Sequence, residues 1–265
     1  MNAGKLLAAI REQKPLVYHI TNAVTIGSCA DITRACGGLP VMAQSPEEAE
    51  EMAAQAQALV LNIGTLTEVQ VQAMLLAGKK ANALGRPVIL DPVGAGATGL
   101  RLAAAKKLLK ELKIDIIKGN GAEIAVLAGG KAEMRGVEST GVSGNLPVLA
   151  AKLAKETKAV VVATGPVDLV TDGKKMLQIH NGHVLMSQVV GTGCMLASLL
   201  GCFAAVEPDR LQAAASAVVA FNVAAEMAVQ QAAEPMAFKL QLIDRLFLLD
   251  EKTVAARQNM EKGEA

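Results

Sequence analysis

Residues 191–194 read Gly-Thr-Gly-Cys. Two glycines there let the backbone turn tightly and come close to a ligand. An apolar segment of helical period follows, and a helix start carries unpaired N–H groups and the positive end of its dipole. Such a start suits an anion, above all a phosphate. The same residues can also be a plain bend into a buried helix. Cys194 would sit at that helix start, where a thiol's pKa is lowered and a thiolate could take a proton. A small buried thiol is the other reading. Further polar residues fall at the ends of apolar runs: Asn62 and Gly64, Asp91, Lys118 and Asn120, Thr164 and Gly165.

The elements that must position them alternate. Residues 3–14 predict an amphipathic helix ended by Pro15, residues 16–20 a strand, 25–36 a helix, and 39–43 an extended piece. Ser45-Pro46-Glu47-Glu48 has the form of a helix start, with Ser as N-cap and Pro at the first helical position. That helix is expected to run to about 57. Strands follow at 58–63, 87–91, 114–117 and 159–163, with helices at 67–84, 99–112, a short one holding Glu123, and 145–157. Residues 128–144, rich in Gly, Ser and charge, read as a surface loop. A hairpin is expected about Asp172-Gly173, and a second turn at Asn181-Gly182. Helices are expected at 194–205, 208–232 and 236–258, with the last residues frayed. Strands alternating with helices give an α/β fold with a mostly parallel sheet covered on both faces. Such sheets bind ligands beyond the carboxyl ends of their strands, where the polar residues above collect.

Composition narrows the function. The 265 residues are 52% hydrophobic, enough for a large core. Aromatics are only 2% and net charge is +1, which speaks against base stacking and against a basic field for nucleic acid or an acidic membrane. Residues 184–206 are uncharged and long enough to span a bilayer, but Ser187, Gln188, Thr192 and the glycines mark them as a core helix and its approach. Cys29, Cys36, Cys194 and Cys202 form no C-x-x-C pair. They read as free thiols of a cytoplasmic protein, with Cys29 and Cys36 sharing a buried helix face. No signal-type run opens the chain. His19, His180 and His183 read as ordinary strand and turn residues.

Four segments together resemble the hydroxyethylthiazole kinase family. They are Ile20-Thr21-Asn22, Leu61-Asn62-Ile63-Gly64-Thr65, the run LDPVGAGAT at residues 90–98, and Asn181-Gly182-His183 with Gly191-Thr192-Gly193-Cys194. Pro40-Val41-Met42 and KGNGAE at residues 118–123 agree. The likeness covers nearly the whole chain in order. DPVGAGAT and the Cys of GTGC set it apart from the sugar and hydroxymethylpyrimidine kinases of the same fold, where an Asp usually stands at the Cys position.

The resemblance implies a single ribokinase-like domain over residues 1–265. It implies ATP-dependent phosphorylation of the hydroxyl of 4-methyl-5-(2-hydroxyethyl)thiazole, in thiamine salvage. It further implies a homotrimer with the thiazole pocket at subunit interfaces. Gly191, Thr192 and Gly193 would form the anion hole and Cys194 would stand beside the substrate hydroxyl. Asp91 and Glu123 would organise Mg²⁺, though Asp91 could be a loop cap and Glu123 a plain first-turn acid. Lys118 and Thr164 match ATP-contacting positions; the first is often Arg in the family. Met42, Gly191 and, more weakly, Asn22 match the thiazole pocket, although Met42 read alone would be core. Two other functions stay open on sequence: a kinase for another small alcohol such as hydroxymethylpyrimidine, and a catalytically silent thiazole binder.

Overall fold

Nine strands form one sheet in a computed structural model that describes residues 3–135, 138–143 and 145–264. In spatial order they are Met260–Glu264 (β11), Lys175–Ile179 (β10), Asp168–Thr171 (β9), Val160–Thr164 (β8), Ile116–Asn120 (β5), Val88–Asp91 (β4), Ala58–Asn62 (β3), Leu16–Ile20 (β1) and Leu39–Met42 (β2). From β8 to β2 all pairs are parallel; β9, β10 and β11 add antiparallel pairs at one end.

Side chains alternate across a strand, and two cores result. One core takes Val17, Val60, Ile89, Ile116 and Val162. It packs them against Ala3–Gln13 (α1), Ile26–Cys36 (α2), Thr192–Val206 (α8), Arg210–Val229 (α9) and Pro235–Leu248 (α10). The other takes Leu59, Leu61, Leu90, Ile117 and Val161. Its helices are Ala49–Gln55 (α3), Glu68–Ala83 (α4), Gly99–Glu111 (α5), Gly121–Leu127 (α6) and Leu146–Thr157 (α7). Two residues beyond Val60, Ile89, Ile116 and Val162 stand Asn62, Asp91, Lys118 and Thr164. Strand parity alone therefore turns all four toward the α8 face, at the carboxyl edge of the sheet.

Helix α8 lies close on that sheet. A β-carbon on its Gly201 would fall 2.8 Å from Val60 Cγ2 and 2.9 Å from Val17 Cγ1. Helix α9 is long and apolar enough to cross a membrane, yet 78% of its apolar window is buried within the fold. Thr67 and Thr98 cap α4 and α5 through their hydroxyls, as a β-region Thr before a helix does.

Five expectations need correction. The Ser45-Pro46 start does not cap a helix. The Ser45 hydroxyl bonds the Glu47 carboxylate, residues 46–48 form a turn, and α3 begins at Ala49. Within the expected loop at 128–144, Lys131–Arg135 (β6) and Glu138–Ser143 (β7) pair as an antiparallel hairpin; residues 136, 137 and 144 lie outside the described ones. The helix expected over 236–258 breaks after Leu248 and resumes as Glu251–Arg257 (α11). Asp250 caps the new start through Thr253 N–H, while Arg11 donates to the Leu246, Phe247 and Leu249 carbonyls. The expected frayed end is β11, paired with β10. Strand β5 also runs further than expected, carrying Lys118, Gly119 and Asn120 within it.

Candidate active site

The carboxyl ends of β3, β4 and β5 bring together three polar side chains beneath the start of α8. Asn62 and Asp91 are register partners, and Asn62 Nδ2 donates to Asp91 Oδ2 at 2.7 Å. Lys118 Nζ reaches Asp91 Oδ1 at 3.2 Å. Asp91 is 0% exposed and Lys118 5%. Burial raises the Asp91 pKa, with Lys118 opposing it. Burial alone would lower the Lys118 pKa, but Asp91 and then Glu123 outweigh it and the ammonium is held above its ordinary value. Lys118 is thus a buried, paired cation. The same ammonium lies 2.8 Å from where a β-carbon on Gly193 would be.

Helix α8 begins one residue after Gly191, which has φ 101°. A side chain there would be strained and would meet Thr25 Cγ2 at 2.9 Å. The first-turn N–H groups of Thr192, Gly193 and Cys194 have no partner inside the helix, and Lys118 adds positive charge beside them. Thr192 uses its hydroxyl elsewhere: Oγ1 donates to the Met186 carbonyl at 2.9 Å and holds the 3-10 turn Val184–Gln188 against the helix start.

Cys194 accepts from two amides, Asn62 Nδ2 at 3.3 Å and Asn22 Nδ2 at 3.4 Å. Its pKa is nevertheless raised, first by burial and then by Asp91. Burial and the nearby carboxylate favour the protonated thiol, which agrees with the reading of Cys194 as a small buried thiol. Asn22 is buried, with Nδ2 also on Asn62 Oδ1 at 3.0 Å and Oδ1 accepting from Thr25 N and Oγ1.

Glu123 sits in the first turn of α6 and does two local jobs. Oε2 accepts from Asn120 N–H at 2.8 Å, completing a capping box with Asn120. Oε1 accepts from Gly94 N–H at 2.7 Å, pinning the glycine-rich loop. Burial, opposed by Lys118, pushes its pKa up to about 7. The plain first-turn acid is therefore present, tied to a loop of the site. Asp91 caps no loop; its oxygens go to Lys118 and Asn62.

Thr164 ends β8 opposite Asn120, with Oγ1 donating to the Gly119 carbonyl at 3.3 Å. Gly165 N–H bonds Asp168 Oδ1 at 2.9 Å. Met42 ends β2, the outer strand, beside His19. It shares the carboxyl edge but is two strands away from β3, outside the hydrogen-bonded cluster. Among the described residues no three of His, Cys, Asp and Glu gather as a metal cluster.

Sequence reasoning passed over Arg101, whose guanidinium joins the Ile63 and Gly64 carbonyls to that of Val93. It ties the loop after β3 to the glycine-rich loop after β4. The signal was a cation in the first turn of a helix, where the dipole disfavours it. Also missed was Asn222, mid-way along apolar α9, which donates to Asp168 Oδ2 at 2.7 Å and to the Asn181 carbonyl at 2.8 Å. A lone amide in a buried helix demands partners.

Asp91 and Glu123 are two buried carboxyl groups with one ion-paired cation, Lys118, between them, so a dication bound beside them would meet oxygen donors. The donors are hard oxygens, each already accepting one hydrogen bond and keeping a free lone pair. That fits Mg²⁺ better than a softer metal, and fits contact through water better than a tight protein cage.

Residues 7–252 match the model of the hydroxyethylthiazole kinase family. The hydroxyethylthiazole kinase of Methanosarcina mazei is 50% identical over 256 residues, covering 97% of this chain and 98% of its own. That of Methanocella arvoryzae is 48% identical over 250 residues, 94% of each chain. Among solved structures, the hydroxyethylthiazole kinase protein of Pyrococcus horikoshii superposes with a TM-score of 0.89 at 37% identity, covering 99% of both chains. A pyridoxal kinase of Staphylococcus aureus, solved with AMP-PCP and pyridoxal, gives 0.62 at 14% identity over 95% of this chain and 99% of that one, a likeness of fold alone.

Proposed function

The chain belongs to the hydroxyethylthiazole kinase family, and on that premise we propose how its own residues carry the reaction. It is a ribokinase-like enzyme that transfers a phosphoryl group from ATP to the hydroxyl of 4-methyl-5-(2-hydroxyethyl)thiazole, in thiamine salvage. The observation that carries the residue-level reading is the meeting of Asp91, Lys118 and Gly193 under the open first turn of α8.

The hydroxyl oxygen attacks the γ-phosphorus, the bond to the ADP oxygen breaks, and the hydroxyl proton leaves late to solvent. A loose transition state spreads charge over three equatorial oxygens, and positioned donors stabilise it without covalent chemistry. The N–H groups of Thr192, Gly193 and Cys194 serve as those donors. Gly191 keeps the backbone in the turn they need, and Lys118 adds its charge on the nucleotide side together with Thr164. Asp91 and Glu123 hold Mg²⁺ when it is bound, which neutralises phosphate charge. Cys194, kept protonated, shapes the site beside the substrate hydroxyl, so Cys194→Ser is expected to retain measurable turnover. Met42 and Gly191 line the thiazole pocket, and Asn22 borders it through its bond to the sulfur.

Residues 1–265 act as one kinase domain in a homotrimer whose subunits meet near the thiazole pocket. Val24 and Val190 are exposed apolar side chains next in sequence to Thr25 and Gly191, which lie close together. Exposed apolar residues at a site's rim support an interface there. Sedimentation should give three times the 27.4 kDa chain mass. Four free cysteines fit a cytoplasmic setting.

The test is ADP release with ATP and Mg²⁺, with hydroxyethylthiazole and hydroxymethylpyrimidine in parallel. Thiazole-dependent ADP is expected. ADP only with the pyrimidine, or thiazole binding without ADP, would overturn the reading.

A further inference from the structure

The orientation of the Asn62 carboxamide is over-determined. Its Oδ1 accepts from Gly64 N–H at 2.9 Å and from Asn22 Nδ2 at 3.0 Å. Turning the amide over would set Nδ2 against those two donors and set the oxygen against a carboxylate. Only one orientation satisfies the four neighbours. In it, Nδ2 reaches Asp91 Oδ2 at 2.7 Å and Cys194 Sγ at 3.3 Å. One NH₂ group therefore holds the carboxylate at the end of β4 and the sulfur in the first turn of α8.

The consequences differ on the two sides. Asp91 has one oxygen on Lys118 and the other on Asn62, so its plane is fixed with respect to the ammonium. Cys194 receives N–H groups from Asn62 and from Asn22, and Asn22 is itself held by Asn62 Oδ1. Remove the Asn62 carboxamide and the sulfur loses one donor directly, while Asn22, still held by Thr25, loses one bond. Asn62 is buried, and both its polar atoms are engaged with neighbours.

We propose that Asn62 is a positioning residue for phosphoryl transfer, locking the Asp91 carboxylate and the Cys194 sulfur into one geometry. The proposal rests on the kinase reading above for its catalytic consequence; the lock between the two side chains does not depend on it. A positioning residue acts on the reacting arrangement more than on substrate capture, so its loss falls on kcat rather than on KM.

Three variants test it. Asn62→Leu keeps the size and removes every polar contact. Asn62→Asp keeps the shape and sets an oxygen where Asp91 and Cys194 had a donor. Asn62→Ser is the smaller change should Leu fail to fold, as judged by the urea midpoint. Two readouts are taken from each folded variant: kcat and KM for both substrates, and the rate of Cys194 alkylation by iodoacetamide. Cys29, Cys36 and Cys202 are buried, so early labelling reports on Cys194, confirmed by peptide mass.

The expected result is a kcat lowered about ten-fold or more, with KM for the thiazole changed less than about three-fold. Alkylation of Cys194 should slow, because a sulfur stripped of N–H donors is less readily ionised. A folded variant with unchanged kcat and unchanged alkylation overturns the proposal, and so does a rise in KM with kcat untouched. If the unaltered protein releases no ADP with any acceptor, the kinase reading fails, and alkylation alone still decides whether Asn62 governs the sulfur.

Discussion

The Lys118 ammonium stands 2.8 Å from the point where a β-carbon on Gly193 would be, and 3.2 Å from Asp91 Oδ1. One cation paired with the end of β4 therefore lies close against the first turn of α8. Gly193 has no unusual φ that requires glycine; a β-carbon there would make the Lys118 ammonium shift. Gly193→Ala is expected to displace the ammonium from Asp91 and lower kcat/KM for ATP by about ten-fold, roughly 1.4 kcal/mol of transition-state stabilisation. Steady-state kinetics check it. Unchanged kcat/KM would mean that Lys118 can shift without cost.

Removing the cation should do more than slow the enzyme. Lys118→Met leaves the fully buried Asp91 carboxylate without its ion pair. Breaking such a pair costs about 3–5 kcal/mol, mostly as an uncompensated buried charge. A urea midpoint lowered accordingly is the expected outcome. The double variant Lys118→Met with Asp91→Asn should recover part of that loss while staying inactive.

His19 should make stability depend on acid. Burial holds its pKa down from 6.5 to about 4, with the Val17 carbonyl opposing only in part. Between those values the unfolded chain binds more protons than the folded one, so stability rises with pH. The contribution is fully present above about pH 6.5 and is lost as the pH falls to about 4, on the order of 3 kcal/mol in all. Urea unfolding at stepped pH measures it, with His19→Gln as the comparison. Equal acid sensitivity of the two proteins would remove His19 from the account.

Gly201 sets how closely α8 lies on β1 and β3. Gly201→Ala puts a methyl group against Val60 and Val17, both buried. Overpacking of this kind costs about 1–3 kcal/mol. Chemical denaturation should find that loss, and Val60→Ala in the same chain should return part of it. A neutral Gly201→Ala would mean that the helix moves outward freely.

Much of the frame was readable because it rests on local physics. Thr67 marked the start of its helix, and the short continuous apolar run Ala58–Asn62 marked a strand buried on both faces. The failures share a cause. Ser45 had an attractive capping pattern, but the nearer Glu47 carboxylate took its hydroxyl. The end of the chain looked frayed because β11 is defined by its partner β10, more than 80 residues earlier, and not by its own residues. At the site, residue types and strand ends pointed to Asn62, Asp91, Lys118 and Thr164, and the family resemblance added Glu123. What sequence left hidden were contacts across elements: the lysine against Gly193, the two amides on Cys194, and Arg101 bridging two loops. Each depends on how closely α8 and α5 approach the sheet edge, which no local pattern encodes. What raises the Cys194 pKa, burial and the Asp91 carboxylate, likewise comes from other elements than its own helix.

The most direct measurement is the product itself. Purified protein, ATP, Mg²⁺ and hydroxyethylthiazole should yield a phosphomonoester on the hydroxyethyl arm, seen by phosphorus NMR and mass, in step with ADP. Asp91→Asn, folded, should yield almost none. ATP hydrolysis without the phosphomonoester, or full yield from Asp91→Asn, would contradict the account.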